Sequence, residues 1–142
     1  MKKVKSTIAA ILFCFCNSCM GILDSTYEKH IIYDYYLHAI EDRQTINLSL
    51  NLENGGSIEV VEETIYAVGF NENYIILKQH PKKFGPIDKS VTNFYIVTIY
   101  KQNGLTPKKG VLGPFSIEEF REKQKELKLD TVGFTIVLKE LE

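Results

Sequence analysis

The residues of this chain best equipped for chemistry cluster near its start. Cys14, Cys16 and Cys19 are its only cysteines, spaced C-x-C-x-x-C, and His30, Asp34 and His38 follow at intervals of four. Three thiolates suggest zinc, yet structural zinc sites take four ligands from ordered loops, and these cysteines sit in and just after an apolar run, ILFCFC. No later cysteine offers a disulfide partner. On a helix, His30, Asp34 and His38 would share one face and could hold a metal ion. The residues between them, Ile31, Ile32, Tyr33, Tyr35, Tyr36 and Leu37, favour a strand instead. Along one strand His30 and His38 would stand roughly 27 Å apart, with Asp34 about 13 Å from either. They could not share an ion, so neither a metal nor another cofactor is expected.

The setting of the cysteines gives them a different chemistry. Lys2, Lys3 and Lys5 precede an uncharged run from Ile8 to Cys16, and small polar residues follow. A positive flank, an apolar stretch and a small-residue cleavage point make a secretory signal. The run is too short for a permanent span, which needs about 20 apolar residues to cross roughly 30 Å of hydrocarbon. Cys16, Asn17, Ser18 and Cys19 resemble the end of a bacterial lipoprotein signal, in which an apolar residue and two small residues precede the acylated cysteine. Cys16 for leucine and Asn17 for a small residue depart from the usual pattern. The resemblance implies cleavage between Ser18 and Cys19, with glyceride and acyl chains on Cys19. It also implies a Gram-negative envelope, with the protein held at the membrane by lipid. Two or more acyl chains, at about 0.8 kcal/mol per buried methylene, anchor firmly where one is marginal.

Removing residues 1–18 from 142 leaves 124, the size of one domain. The expected organisation is a signal over 1–18, a tether over 19–28 and a single β-rich domain over 29–142. Without a cysteine pair, stability must come from packing. Taking Lys2, Lys3 and Lys5 from 17 basic residues leaves 14 against 18 acidic, a net charge of −4. That balance disfavours nucleic acid, which selects a basic face.

Hydropathy patterning supplies the elements. Residues 30–38 read as one strand, with Ile31, Tyr33, Tyr35, Leu37 and Ala39 on one face and His30, Asp34, Tyr36 and His38 on the other. In residues 45–52, Ile46, Leu48, Leu50 and Leu52 alternate with Thr45, Asn47, Ser49 and Asn51, as a half-buried antiparallel strand requires. Asn54-Gly55-Gly56 then turns the chain into a partner over 57–61. Residues 64–70 and 74–79 form a second hairpin, with Asn71 and Asn73 suited to left-handed backbone positions. Residues 80–90 read as a surface loop, 93–101 as a strand and 102–109 as a loop. Gly113-Pro114-Phe115 leads into the one helix, where Ser116 and Glu119 form a capping box. Ile117, Phe120, Gln124 and Leu127 share its apolar side, and Arg121, Lys125 and Lys128 face solvent. Residues 134–138 close the chain as a strand. The fold class is therefore α+β, mostly β: an antiparallel sheet of five to seven strands built from hairpins, with one C-terminal amphipathic helix before a final strand.

Other candidate chemistry is weak. Tyr33, Tyr35, Tyr36, Tyr66, Tyr74, Tyr95 and Tyr100 could make a stacking platform, although tyrosines more often fill a core with the hydroxyl at its rim. His80, Lys82 and Lys83 could catch an anion, and the amides beyond Ser116 could hold a phosphate, but Ser116 competes for them. Glu62 and Glu63 would point to opposite faces of a strand. No G-x-S-x-G, H-E-x-x-H or phosphate-cradling loop nominates an enzyme. The phrase from Ala67 to Pro81, with Phe94-Tyr-Ile and Gly113-Pro-Phe-Ser-Ile-Glu-Glu-Phe120, resembles small bacterial lipoproteins sharing domain of unknown function 3997. The resemblance implies an envelope location and brings no catalytic residue. The expectation is a lipid-anchored, non-catalytic binding or interaction module with an envelope protein as a possible partner. The alternatives are an immunity or inhibitor lipoprotein that neutralises a secreted protein, and a hydrolase whose site forms only in the fold.

Overall fold

The structure is a computed structural model that describes residues 27–40, 42–82, 85–100 and 107–142. Its first sheet comes from the alternating segments. β1 (Tyr27–Ile32), β2 (Tyr35–Ala39), β3 (Asn47–Asn51) and β4 (Ser57–Val61) pair in chain order, each antiparallel to the next. Residues 30–38 are not the single strand expected. Tyr33 takes φ 51° and turns the chain with Asp34, so that Ile32 pairs with Tyr35. The Asn51 N–H secures this turn by donating to the Asp34 carbonyl at 2.8 Å. A two-residue hairpin normally announces itself with Asn-Gly or Asp-Gly, and Tyr33-Asp34 carries no such signal. The face assignment survives for Ile31, Tyr35, Leu37 and Ala39, all buried, while Tyr33 is exposed at the turn. The β3–β4 turn is as expected: Gly55 adopts φ 85° and the Gly56 N–H is held by Asn54 Oδ1 at 3.2 Å.

The second sheet contains β5 (Ile65–Phe70), β6 (Tyr74–Gln79), β7 (Asn93–Thr98), β8 (Val111–Phe115) and β9 (Ile136–Val137), in the order β8-β7-β6-β5-β9. Helix α1 (Ile117–Glu126) packs on β7 and β8. The chain after it returns to the opposite edge, where β9 pairs with β5. Gly113-Pro114-Phe115 belongs to β8 rather than to an approach to the helix, and the closing strand is shorter than expected at two residues. The helix itself starts as its sequence demands, with Ser116 Oγ accepting from the Glu119 N–H and Glu119 Oε2 accepting from the Ser116 N–H. At the β5–β6 turn Asn71 works through its side chain, whose Oδ1 accepts from the N–H groups of Asn73 and Tyr74, both at 2.9 Å. Neither Asn71 nor Asn73 has positive φ. An Asx turn replaces the left-handed backbone expected there.

The layers explain why the two sheets differ in sequence. Tyr35, Leu37 and Leu48 of the first sheet share one core with Ile65, Ile75, Leu77 and Val97 of the second. Ile76, Phe94 and Ile96, on the reverse face of the second sheet, form another core with Phe120 of α1 and Leu129 beyond it. Successive side chains of a strand point to opposite faces, so β6 is covered on both sides and reads as an apolar run, Ile75-Ile76-Leu77. Among the described residues only one face of the first sheet is covered, and its strands alternate. Among the described residues the strands number nine in two sheets, within the mostly β, antiparallel architecture with one late helix that the sequence implied.

Candidate functional site

The uncovered face of the first sheet gathers the polar side of the alternation. Directly opposed residues on antiparallel strands point to the same face, and the register pairs Glu28 with His38, His30 with Tyr36, Tyr36 with Ser49, His38 with Asn47, and Ser49 with Glu59. Folding residues 30–38 into a hairpin therefore makes His30 and His38 diagonal neighbours, about 7–8 Å apart at the backbone, not the 27 Å of one extended strand. Asp34 is removed to the turn between β1 and β2. Among the described residues no three His, Cys, Asp or Glu side chains converge as metal ligands.

A cleft of about 280 Å³ crosses this face, lined by Glu28, Tyr36, His38, Ser49, Asn51 and Ser57, with the 52–56 turn closing one end. Ser49 is only 5% exposed although it points outward, which places it on the floor. Its hydroxyl donates to Asn47 Oδ1 at 2.7 Å, and Asn47 Nδ2 reaches Glu59 Oε2 at 3.3 Å. The His30 Nε2 donates to the Tyr33 carbonyl at 2.6 Å, and the ring meets Tyr36 edge-on with centroids 5.0 Å apart. Among the described residues the side chains of Glu28, His38, Asn51 and Ser57 make no hydrogen bond within the protein. Strand register fixes their positions, and their donors and acceptors remain available to a ligand.

A second polar group lies at the far end of β6. Gln79 is 5% exposed and is fully engaged: Nε2 donates to the carbonyls of Glu62 (3.1 Å) and Glu63 (2.8 Å), while Oε1 accepts from Asn93 and Tyr95, both at 3.2 Å. Burial, reinforced by the charge of Glu62, raises the Tyr95 phenol above its ordinary range. His80 departs from the exposed loop expected there and takes no part in the weak anion site weighed for it. It is 3% exposed, stacks on Tyr66 at 4.2 Å, and donates from Nδ1 to the Val91 carbonyl at 2.8 Å. Lys82 is paired with Glu63 at 3.2 Å, and Lys83 falls outside the described residues. A broader depression beside this loop, about 560 Å³, is bounded by Pro81, Pro86 and Pro114 together with Asp88. The Ser90 hydroxyl and N–H, at 2.5 and 3.0 Å, hold the Asp88 carboxyl below its usual range.

The remaining candidates separate. Cys14, Cys16, Cys19 and Ser18 lie outside the described residues. The tyrosines form no single platform: Tyr35 and Tyr66 are buried, Tyr36, Tyr74, Tyr95 and Tyr100 half-buried, and Tyr33 exposed. Ser116 is spent on its own helix. Two things were missed in the sequence. Gln79 gave no signal, since its bonds join residues 14 to 17 positions away. The cleft did leave one: Ser49 and Asn51 were on the polar side of the cleanest alternation in the chain. A family described as a protein of unknown function (DUF3997) matches residues 32–142. No curated protein and no solved structure matches the chain.

Proposed function

The chain belongs to this family, and from that premise we propose that it is a lipid-anchored binding module of a bacterial envelope, with the outer face of the first sheet as its contact surface. One observation carries the contact surface. Among the described residues the second sheet is covered on both faces, whereas the first leaves exposed a fixed set of hydrogen-bonding side chains around a cleft. The anchor is supported by the order of the first 19 residues, with charge, apolar run and Ser18-Cys19 in sequence. Binding is favoured over hydrolysis because the cleft's buried hydroxyl, on Ser49, donates to Asn47 rather than to a histidine base.

Intact-mass analysis of protein from its native host tests the anchor. The expected species lacks residues 1–18 and carries acyl chains on Cys19, and Cys19→Ala abolishes both processing and membrane retention. An unacylated full-length chain in the cytosol overturns the proposal. An inhibitor of a secreted basic protein is the second reading, favoured by the net charge of −4 without residues 1–18 and by Glu28 and Glu59 on the same face. Its signature is a single stoichiometric basic partner captured from envelope extract.

A further inference from the structure

We infer that the cleft across the first sheet binds an uncharged segment of an oligosaccharide, with the Tyr36 ring as its stacking surface and Glu28, His38, Asn51 and Ser57 as its hydrogen-bonding partners. The inference rests on the reading of this face as the contact surface and assigns the chemistry of what it contacts.

The lining selects among ligand classes. Among the described residues no Lys or Arg lines the cleft and Glu28 does, so a phosphate or nucleic-acid backbone meets repulsion where it would need neutralisation. An apolar ligand would strip water from Glu28, His38, Asn51 and Ser57 without giving hydrogen bonds in return. An extended peptide is recognised on sheets by pairing with a free edge, but the cleft lies over β2 and β3, whose main-chain groups are already paired on both sides. Sugar hydroxyls fit what remains, because each both donates and accepts. Asn51 and Ser57 do the same, while the Glu28 carboxylate accepts from a vicinal pair. The apolar C–H face of a pyranose packs on an aromatic ring, and Tyr36 is half-buried at the centre of the face with its ring braced by His30. A volume of about 280 Å³ sits at the lower end of small-molecule clefts, about 300–1,000 Å³, which suits a short segment of a longer chain. Since the side chains stand on paired strands, little ordering opposes binding.

The test is calorimetric titration of the protein purified from its native host, in zwitterionic detergent micelles, with two probes, a β-1,4-linked N-acetylglucosamine tetramer and a β-1,4-linked glucose tetramer. Saturable binding is expected. Preference for the acetylated probe indicates a glycan of the envelope's own amino-sugar kind, and preference for the plain one a glycan from outside. Asn51→Ala and Ser57→Ala, at exposed positions, should each weaken binding by about tenfold, the effect of one lost hydrogen bond, with melting unchanged. Tyr36→Ala should abolish it. Binding of neither sugar, or binding that Asn51→Ala, Ser57→Ala and Tyr36→Ala all leave unchanged, overturns the carbohydrate assignment. In that event a partner from envelope extract that is lost with Asn51→Ala keeps the contact surface as a protein-binding face, and one retained by all three variants removes the surface as well.

Discussion

At the residue scale, the most heavily committed side chain is Gln79, whose amide joins the end of β4 to β7 through four hydrogen bonds. Gln79→Leu keeps the volume and leaves two carbonyls, an amide and a phenol without their partner. A loss of about 2–4 kcal/mol in urea unfolding is expected: a stranded group costs about 1–3 kcal/mol when fully buried, and these four, only partly buried, regain much of that from water. Titration of the tyrosines gives a second outcome. Burial raises the phenols of Tyr35, Tyr95 and Tyr27 above their ordinary value. Each then favours the fold while neutral. Their contribution is complete below the unfolded tyrosine value near pH 10 and is lost as pH rises through the higher folded values. Stability measured by denaturation should therefore fall steeply on the alkaline side, and phenolate absorbance should show a late-titrating class that disappears on unfolding. The sequence displayed apolar positions such as Leu37, Leu48 and Ile75 plainly, because burial follows period and side-chain type. It hid Gln79 and His80, because the groups that hold them, Asn93 and Tyr95 for the one and Tyr66 and Val91 for the other, are remote in sequence.

At the element scale, legibility depended on whether a local interaction used the residue types usual for it. The Ser116–Glu119 capping box joins groups three residues apart and was readable as written. The end of α1 was not read, although it is equally local. Lys128 adopts φ 57° after Leu127, its N–H donates to the Lys125 carbonyl, and the Leu129 N–H donates to the Gln124 carbonyl at 2.7 Å. This is a Schellman closure with lysine where glycine is usual. Lys128→Gly should raise stability by about 0.5–1 kcal/mol by relieving the left-handed backbone, visible as a higher midpoint in thermal unfolding. The β1–β2 hairpin was misread for the same kind of reason, since Tyr33 occupies a position where asparagine or glycine would have given warning. That turn matters most for the candidate site, because it brings Glu28 and His38 side by side.

At the scale of the whole molecule, the three layers depend on close approach where the last segment returns to the second sheet. Gly69 of β5 lies against the main chain at Gly133, and a Cβ at position 69 would run into the Gly133 carbonyl oxygen and crowd Ile76. Gly69→Ala should cost about 3 kcal/mol or more, read from denaturant midpoints, whereas Gly133→Ala meets nothing nearby and should cost far less. The mostly β class, the antiparallel pairing and the late helix were legible because each follows from pattern within a segment. Division into two sheets, with β9 joining β5 from the far end of the chain, was not legible, because no local period records which face meets which.

The central position of β6 has a consequence for how the molecule opens. With Ile75 and Leu77 turned to one core, Ile76 to the other, and β5 and β7 paired on either side, its amides reach solvent only when both layers separate at once. In deuterium oxide, the β6 backbone protons should be the last to exchange, at the rate of global unfolding. Those of β1, at the margin of the first sheet, should be replaced early through local fraying, so the proposed contact face could loosen on one side while the protein remains folded.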